Sequence, residues 1–500
     1  MRYWKRLLSF ILTIILSSTF FSTCFSMNFF KFESKIFSNL NFYNYIKKSL
    51  EEKKNGFAVI VVLKGQKDSL NVRDYLEKNG ISLENNKEAI YGKNKGLFFL
   101  YSGDGRLAFV FSSYLKNGFW TKKSADTKRK GLILDREFLE LIKDNYNESN
   151  NVPISKDFVV KLWRLFWILN YQLQHLNRFL IPLFAIIVVF SVLGAIIFLS
   201  KPNERYNKFF LKSIPTAIIL GYIFVIYSPL LILKIDHIFL FLAIFFLTVL
   251  VTSSLNLKTS QLICSLFGIF SILGQSFLFD NILQLLSTAG YHPSFANRFY
   301  GIGNEFFSYL MGFVFILSIV SDMSLRSLFI VLFLVALVLV IPYYGVNFGG
   351  FLSIVAGIII FLLFKTKHKI KALVALFVFA PLALILILKN SYVYKAFTGF
   401  GIFVSIAKRK MLMNISYLFQ YPATILVLLA FVILLLIIVQ KRFNILPSVE
   451  GHRDKFVVFF IIGLFAYLLN DSGTIIIALL MGFLGLGIYY AKMVNEYGVR

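Results

Sequence analysis

Apolar runs close to or longer than 18 residues recur through the last two thirds of this 500-residue chain, and no other feature narrows its folding as much. A helix of about 20 apolar residues crosses the hydrocarbon of a bilayer with its backbone hydrogen bonds closed internally. Eleven stretches read as such spans, near residues 179 to 199, 213 to 233, 238 to 255, 261 to 279, 303 to 320, 326 to 342, 348 to 364, 372 to 388, 421 to 440, 455 to 470 and 473 to 491. At 58% hydrophobic residues and a mean hydropathy of +0.73 the chain lies outside the soluble range. The expected fold class is an α-helical polytopic membrane bundle of about 11 spans, preceded by an N-terminal signal or anchor helix and a small extracytoplasmic α+β domain.

Charge tests that topology. The net charge of +27 would suggest nucleic acid in a soluble protein, but membrane lipids are the expected partners here, because Lys and Arg collect on the cytoplasmic flanks of spanning helices. No nucleic-acid partner is expected. If residue 178 lies outside, the internal loops hold Lys201, Arg205, Lys208 and Lys212; Lys258; Arg326; Lys365, Lys367, Lys369 and Lys371; and Lys441, Arg442, Arg453 and Lys455. The external segments at 234 to 237, 280 to 302 and 343 to 347 hold only Lys234 and Arg298. One external loop disobeys, since 389 to 420 carries Lys389, Lys395, Lys408, Arg409 and Lys410 around a twelve-residue apolar centre that is short for a span. Either it is an external loop, or it crosses and inverts the orientation of every later span. On the first reading the C-terminus is cytoplasmic.

Residues 1 to 27 have a basic start, the apolar run LLSFILTIIL and then small and polar residues, the plan of a secretory signal peptide or of an uncleaved signal anchor. Phe21-Ser22-Thr23 before Cys24 fits a lipoprotein cleavage box poorly. Residues 28 to 152 turn soluble in character and are expected outside the cytoplasm. FAVIVVL (57 to 63) reads as a buried strand, 97 to 113 as a hairpin turning at GDG, and 70 to 80 and 133 to 146 as helices. The segment lacks His and Cys, and LKGQKDS lacks the GK[ST] of a phosphate loop, so no metal or nucleotide cofactor is expected in it. From 153 to 178, Trp163, Phe166, Trp167, Leu169 and Leu173 alternate with Lys161, Arg164, Gln172 and Gln174 at helical spacing, as in a helix lying in the membrane interface or extending the first span.

Polar residues are costly near lipid, and four groups of them fall on the predicted outer side. The first is GYHPSFANRFYGIGNE (290 to 305), with His292, Arg298, Asn304 and Glu305. The second is PYYGVNFGG (342 to 350), with Asn347; the third is LLNDSG (468 to 473), with Asn470, Asp471 and Ser472; the fourth is Lys408, Arg409 and Lys410. Of nine acids beyond Arg178, only Glu305 and Asp471 stand at the edges of spans. Singly, each residue has a plain structural role: Asn304 and the Asn470 group as helix N-caps, Arg298 and Glu305 as mutual neutralisers, His292 as a turn residue. Helix caps do not call for an Arg, a His and two acids together, which makes the set a candidate site. Asn304-Glu305 and Asn470-Asp471 also each precede a helix containing LMGF, either a remote internal repeat or chance.

RFYGIGNE (298 to 305) together with NDSG (470 to 473) resembles motifs of an uncharacterised family of bacterial polytopic membrane proteins, and the likeness covers the membrane part. Some larger relatives carry an outer domain similar to the alkaline phosphatase superfamily. This chain's short, histidine-free outer domain departs from that, so no metal-dependent phosphatase activity carries over. The resemblance marks Arg298, Asn304, Glu305, Asn470 and Asp471 as motif positions and implies no reaction.

Three functions fit these residues. The first is an envelope enzyme at the outer face acting on a lipid-linked anionic substrate. Arg298, Lys408, Arg409 and Lys410 would hold the headgroup, Glu305 or Asp471 would act as base or its electrostatic partner, and His292 as acid, with Asn304, Asn347, Asn470 and Ser472 lining the site. The second is a transporter or flippase using the same carboxylates, and the third a non-catalytic envelope scaffold.

Overall fold

The structure is a computed structural model that describes residues 55–62, 90–92, 97–101, 107–112, 118–122, 132–134, 137, 151–171, 208–227, 247–278 except 249 and 253, 282–287, 290, 300–341, 344–364, 400–420 and 450–497. Residues 1 to 27, the proposed helix at 70 to 80, and the runs at 179 to 199, 372 to 388, 421 to 440 and much of 238 to 255 lie outside them.

The N-terminal unit is a mixed sheet. Its strands are β1 (Asn55–Val62), β2 (Ile90–Gly92), β3 (Leu97–Tyr101), β4 (Leu107–Ser112), β5 (Gly118–Lys122), β6 (Leu132–Leu134) and β7 (Asn151–Ile154), and it is followed by helix α1 (Lys156–Tyr171). The order is β2-β3-β4-β1-β5-β7, with β6 also on β1. The expected hairpin is β3–β4, in register from Leu97 opposite Ser112 to Tyr101 opposite Ala108. Strand β1 is buried because it is central: β4 runs antiparallel along one edge, while β5 and β6 run parallel along its two ends.

Two expectations change here. Ile133 and Leu134 open no helix; they belong to β6, paired with Val61 and Val62. The apolar stripe of α1 faces the sheet, with Val159, Leu162, Phe166 and Leu169 buried and the Phe166 ring 6.0 Å from that of Phe109. Over these residues the stripe closes the sheet's core instead of resting on a lipid surface.

The rest of the described chain is helical: α2 (Lys208–Ile226), α3 (Leu257–Leu278), α4 (Ile282–Leu286), α5 (Asn304–Val320), α6 (Leu325–Val340), α7 (Phe348–Phe364), α8 (Phe400–Gln420), α9 (Arg453–Leu469) and α10 (Gly473–Tyr497). Among the described residues two stretches, Leu257–Phe277 and Gly473–Asn495, are long and apolar enough to cross a membrane; α5, α6 and α7 are apolar but shorter, at 16 or 17 residues. Seven of the expected runs thus form helices, though most are shorter than about 20 residues. Residues 400 to 420, expected within a loop, form the 21-residue helix α8.

Helix α5 is the hub, since 15 of its 17 residues are buried. It packs beside α10 in parallel: Asn304 meets Ser472, Gly312 faces Phe483, and Phe315 and Ile319 flank Gly487. Against α3 it runs antiparallel, with the Phe313 ring filling the notch at Gly268. Helices α7 and α9 are antiparallel, Gly349 lying against Asn470 and Gly357 against Ile462. Small residues let these backbones approach closely. The directions alternate, so α5, α7 and α10 all start at one end of the bundle, where α3, α6 and α9 finish.

At the opposite end, charged side chains bridge the helix ends. Lys258 pairs with Asp322 at 3.1 Å, and His452 lies 3.8 Å from the same carboxylate. Burial, then the neighbouring Lys455, lowers the His452 pKa, and Asp322 opposes this. The Lys455 ammonium, at the buried foot of α9, donates to the Ser318 carbonyl at 2.9 Å and so satisfies the last turn of α5 where the helix dipole is negative.

Candidate functional site

Three helix starts and one helix end create the site. Gly301 has a φ of +80°, and a side chain there would strike the Gly345 carbonyl. That turn lets the Ile302 N–H donate to the Gly345 carbonyl at 2.7 Å, joining the segment before α5 to the segment before α7. Gln284 on α4 adds a tie by accepting from the Gly303 N–H at 2.8 Å.

The asparagines form a buried network across these joints. The Asn304 amide donates to the Ser472 hydroxyl at 3.0 Å, and Asn347 donates to the Ile302 carbonyl at 2.9 Å and to the Asn304 side-chain oxygen at 3.4 Å. The Asn347 oxygen accepts from the Gly350 N–H at 2.8 Å, and Asn470 donates to the Ala466 carbonyl at 2.9 Å. Neither Asn304 nor Asn470 is a side-chain N-cap: Gly303 holds that position for α5 without a side-chain bond, while Asn470 ends α9. All four residues of the set, Asn304, Asn347, Asn470 and Ser472, are at most 8% exposed. The Asn304–Ser472 and Asn347–Ile302/Asn304 bonds cross-link the starts of α5, α7 and α10, whereas Asn470 bonds back within α9 and the Asn347 oxygen also caps α7.

Helix α8 completes this end. Arg409 approaches both oxygens of Asp471, at 3.4 and 3.5 Å, and the Lys410 ammonium lies 3.8 Å from Asp471 while donating to the Leu469 carbonyl. Burial lowers the Lys410 pKa, and the Asp471 charge opposes it. One turn on, Asn414 donates to the carbonyls of Tyr467 at 3.1 Å and Asn470 at 3.3 Å, and accepts from the Thr474 N–H at 3.2 Å. Asn414 therefore clasps both sides of the α9–α10 break. Sequence reasoning passed over it; the signal was its spacing of four from Lys410, which puts both on one face once 400 to 420 is a helix.

Loss of that clasp strands a buried N–H and two carbonyls, each costing about 1–3 kcal/mol when unsatisfied. Asn414→Leu should therefore lower stability by about 2 kcal/mol or more, read as thermal denaturation of the purified protein. A variant as stable as the native protein would show that α8 is not anchored there.

The structure thus brings together Asn304, Asn347, Asn470, Asp471, Ser472, Arg409 and Lys410, with exposed Lys408 beside them on α8. Glu305 follows Asn304 in the first turn of α5, with one carboxylate oxygen shut off from solvent and Tyr309 within electrostatic reach. His292 and Arg298 lie outside the described residues. Among the described residues no cluster of His, Cys, Asp and Glu could hold a metal ion. The arrangement can bind an anion through the α8 cations beside Asp471, next to the buried amide network.

Comparison with known protein families, with curated proteins and with solved structures finds no match.

Proposed function

We propose that the chain is a polytopic membrane protein of the bacterial cell envelope, one of the group sharing RFYGIGNE-type and NDSG-type motifs, whose Asn304–Asp471 end is an extracytoplasmic site acting on a lipid-linked anionic substrate. The observation that carries this reading is Asp471 held by Arg409 and Lys410 above the Asn304–Ser472–Asn347 network. Segments far apart in the chain contribute to that network, as the 168-residue separation of Asn304 and Ser472 illustrates. An anionic headgroup fits Lys408, Arg409 and Lys410, and Glu305, in the first turn of α5, is the group we assign to proton exchange.

The seam below the site also favours chemistry at one face over passage through the bundle. Phe483 stacks on Tyr222 at 4.4 Å and meets Phe313 edge-on at 5.2 Å, so aromatic packing fills the line between α5 and α10. The reading is tested by incubating vesicles carrying the purified full-length protein with phosphate-bearing polyisoprenoid lipids and following headgroup mass. Protein-dependent conversion supports it. Facilitated movement of the intact lipid between leaflets would replace it with the flippase reading.

A further inference from the structure

We propose that Asp471 is a built-in stand-in for the substrate's phosphate, occupying a phosphate subsite formed by Arg409 and Lys410 that the substrate takes over when it binds. This rests on the site being an anion site, and it names the anion's chemistry and the group it displaces.

The ion pair has the geometry of a replaceable partner. Arg409 reaches Asp471 through a single terminal nitrogen at 3.4 and 3.5 Å, without the two parallel short bonds of a guanidinium–carboxylate fork. Lys410 stands off at 3.8 Å. The side chains are 49%, 26% and 41% exposed for Arg409, Lys410 and Asp471, so solvent and solute reach all three. Mutual attraction between groups this open is weak, because water screens it and two side chains must be held in one geometry. A phosphate dianion carries more charge than Asp471 and offers three acceptor oxygens, enough to serve the guanidinium and the ammonium at once.

Lys410 and the α8 backbone do not depend on Asp471 for their placement. Lys410 also donates to the Leu469 carbonyl, and Asn414 with Thr474 anchors α8 to α10 one turn further along. When Asp471 swings away, Lys410 stays on the α9–α10 joint and Arg409 stays on the anchored helix beside it. Lys408, exposed and one residue before the pair, extends the basic surface outward to meet a headgroup's remaining charge. Asp471 thus keeps two adjacent cations neutralised while no substrate is present, at the cost of competing with it.

The sign of one mutation decides between this role and a positioning or catalytic one. Binding of inorganic phosphate and of a short-chain phosphatidic acid is measured by titration calorimetry on the full-length protein in detergent, native and Asp471→Asn. Removal of the competing charge should tighten binding about fivefold, in line with the modest strength of an exposed ion pair. Tightening for both probes assigns the subsite to the phosphate group itself; tightening for the lipid alone assigns it to a phosphate attached to an acyl chain. Arg409→Gln in the Asp471→Asn background should then abolish the gain. Weaker or unchanged binding of both probes to Asp471→Asn overturns the proposal. Headgroup conversion is scored separately: a tighter Asp471→Asn variant without turnover on any lipid would remove the enzymatic reading and leave the subsite standing.

Discussion

Gly312→Ala should destabilise the folded bundle by about 2–3 kcal/mol, although alanine is the better helix former by about 1 kcal/mol. A methyl group at Gly312 overlaps the Phe483 ring. That ring has no free direction, because Tyr222 is stacked on it at 4.4 Å while Phe313 and Tyr309 stand edge-on at 5.2 and 6.3 Å. To admit the methyl, α5 and α10 must separate along the seam that also sets Asn304 against Ser472, so the site loosens with the core. Gly274→Ala on α3 is the matched control, since a methyl there meets nothing within 4 Å, and it should be neutral or slightly stabilising. Thermal denaturation of the two variants in detergent checks the pair. Equal behaviour would mean that α5 and α10 do not pack this closely.

Glu305→Gln should reduce headgroup conversion by about 10²–10⁴-fold while leaving the protein folded, the range expected when a positioned acid–base group loses its proton transfer. The change keeps the side chain's size and removes its charge, and the bonds that tie this turn of α5 to Ser472 and Asn347 are made by the neighbouring Asn304. Anion binding should persist, because Arg409 and Lys410 are on α8. Conversion at the native rate would remove Glu305 from the mechanism; unfolding of the variant would give it a structural role instead.

The apolar runs announced most of the described helices, because a long run with polar ends has few other solutions in water or lipid. Helix α8 was hidden because its apolar centre is short and the basic turn after it looks like a loop; tertiary contacts through Lys410 and Asn414, in the middle of the helix, anchor it to the α9–α10 joint. Ile133 and Leu134 read as helix since a brief apolar run carries no decisive period, and a distant partner in β1, Val61 and Val62, is what makes them strand. The stripe on α1 was legible as apolar, but a periodicity does not say whether a sheet or a bilayer covers it. At the candidate site, the polar motifs were conspicuous against their apolar flanks, and the structure gathers Asn304, Asn347, Asn470, Asp471 and Ser472 with the α8 cations. Their division of labour was not legible: the same residue types serve as cross-links at Asn304 and Asn347 and as accessible charge at Asp471, and only burial and hydrogen bonding separate the two.

The central claim is that these motifs share one end of the bundle and that this end faces away from the cytosol. In a background without Cys24 and Cys264, single cysteines at Tyr300 and Lys408, and at Ser324 and Glu450 on the opposite end, are treated in intact cells with a membrane-impermeant maleimide. Labelling of positions 300 and 408 from outside, with 324 and 450 reacting only after permeabilisation, is the expected result. Positions 300 and 408 reacting in different compartments, or 324 labelled from outside, would contradict it.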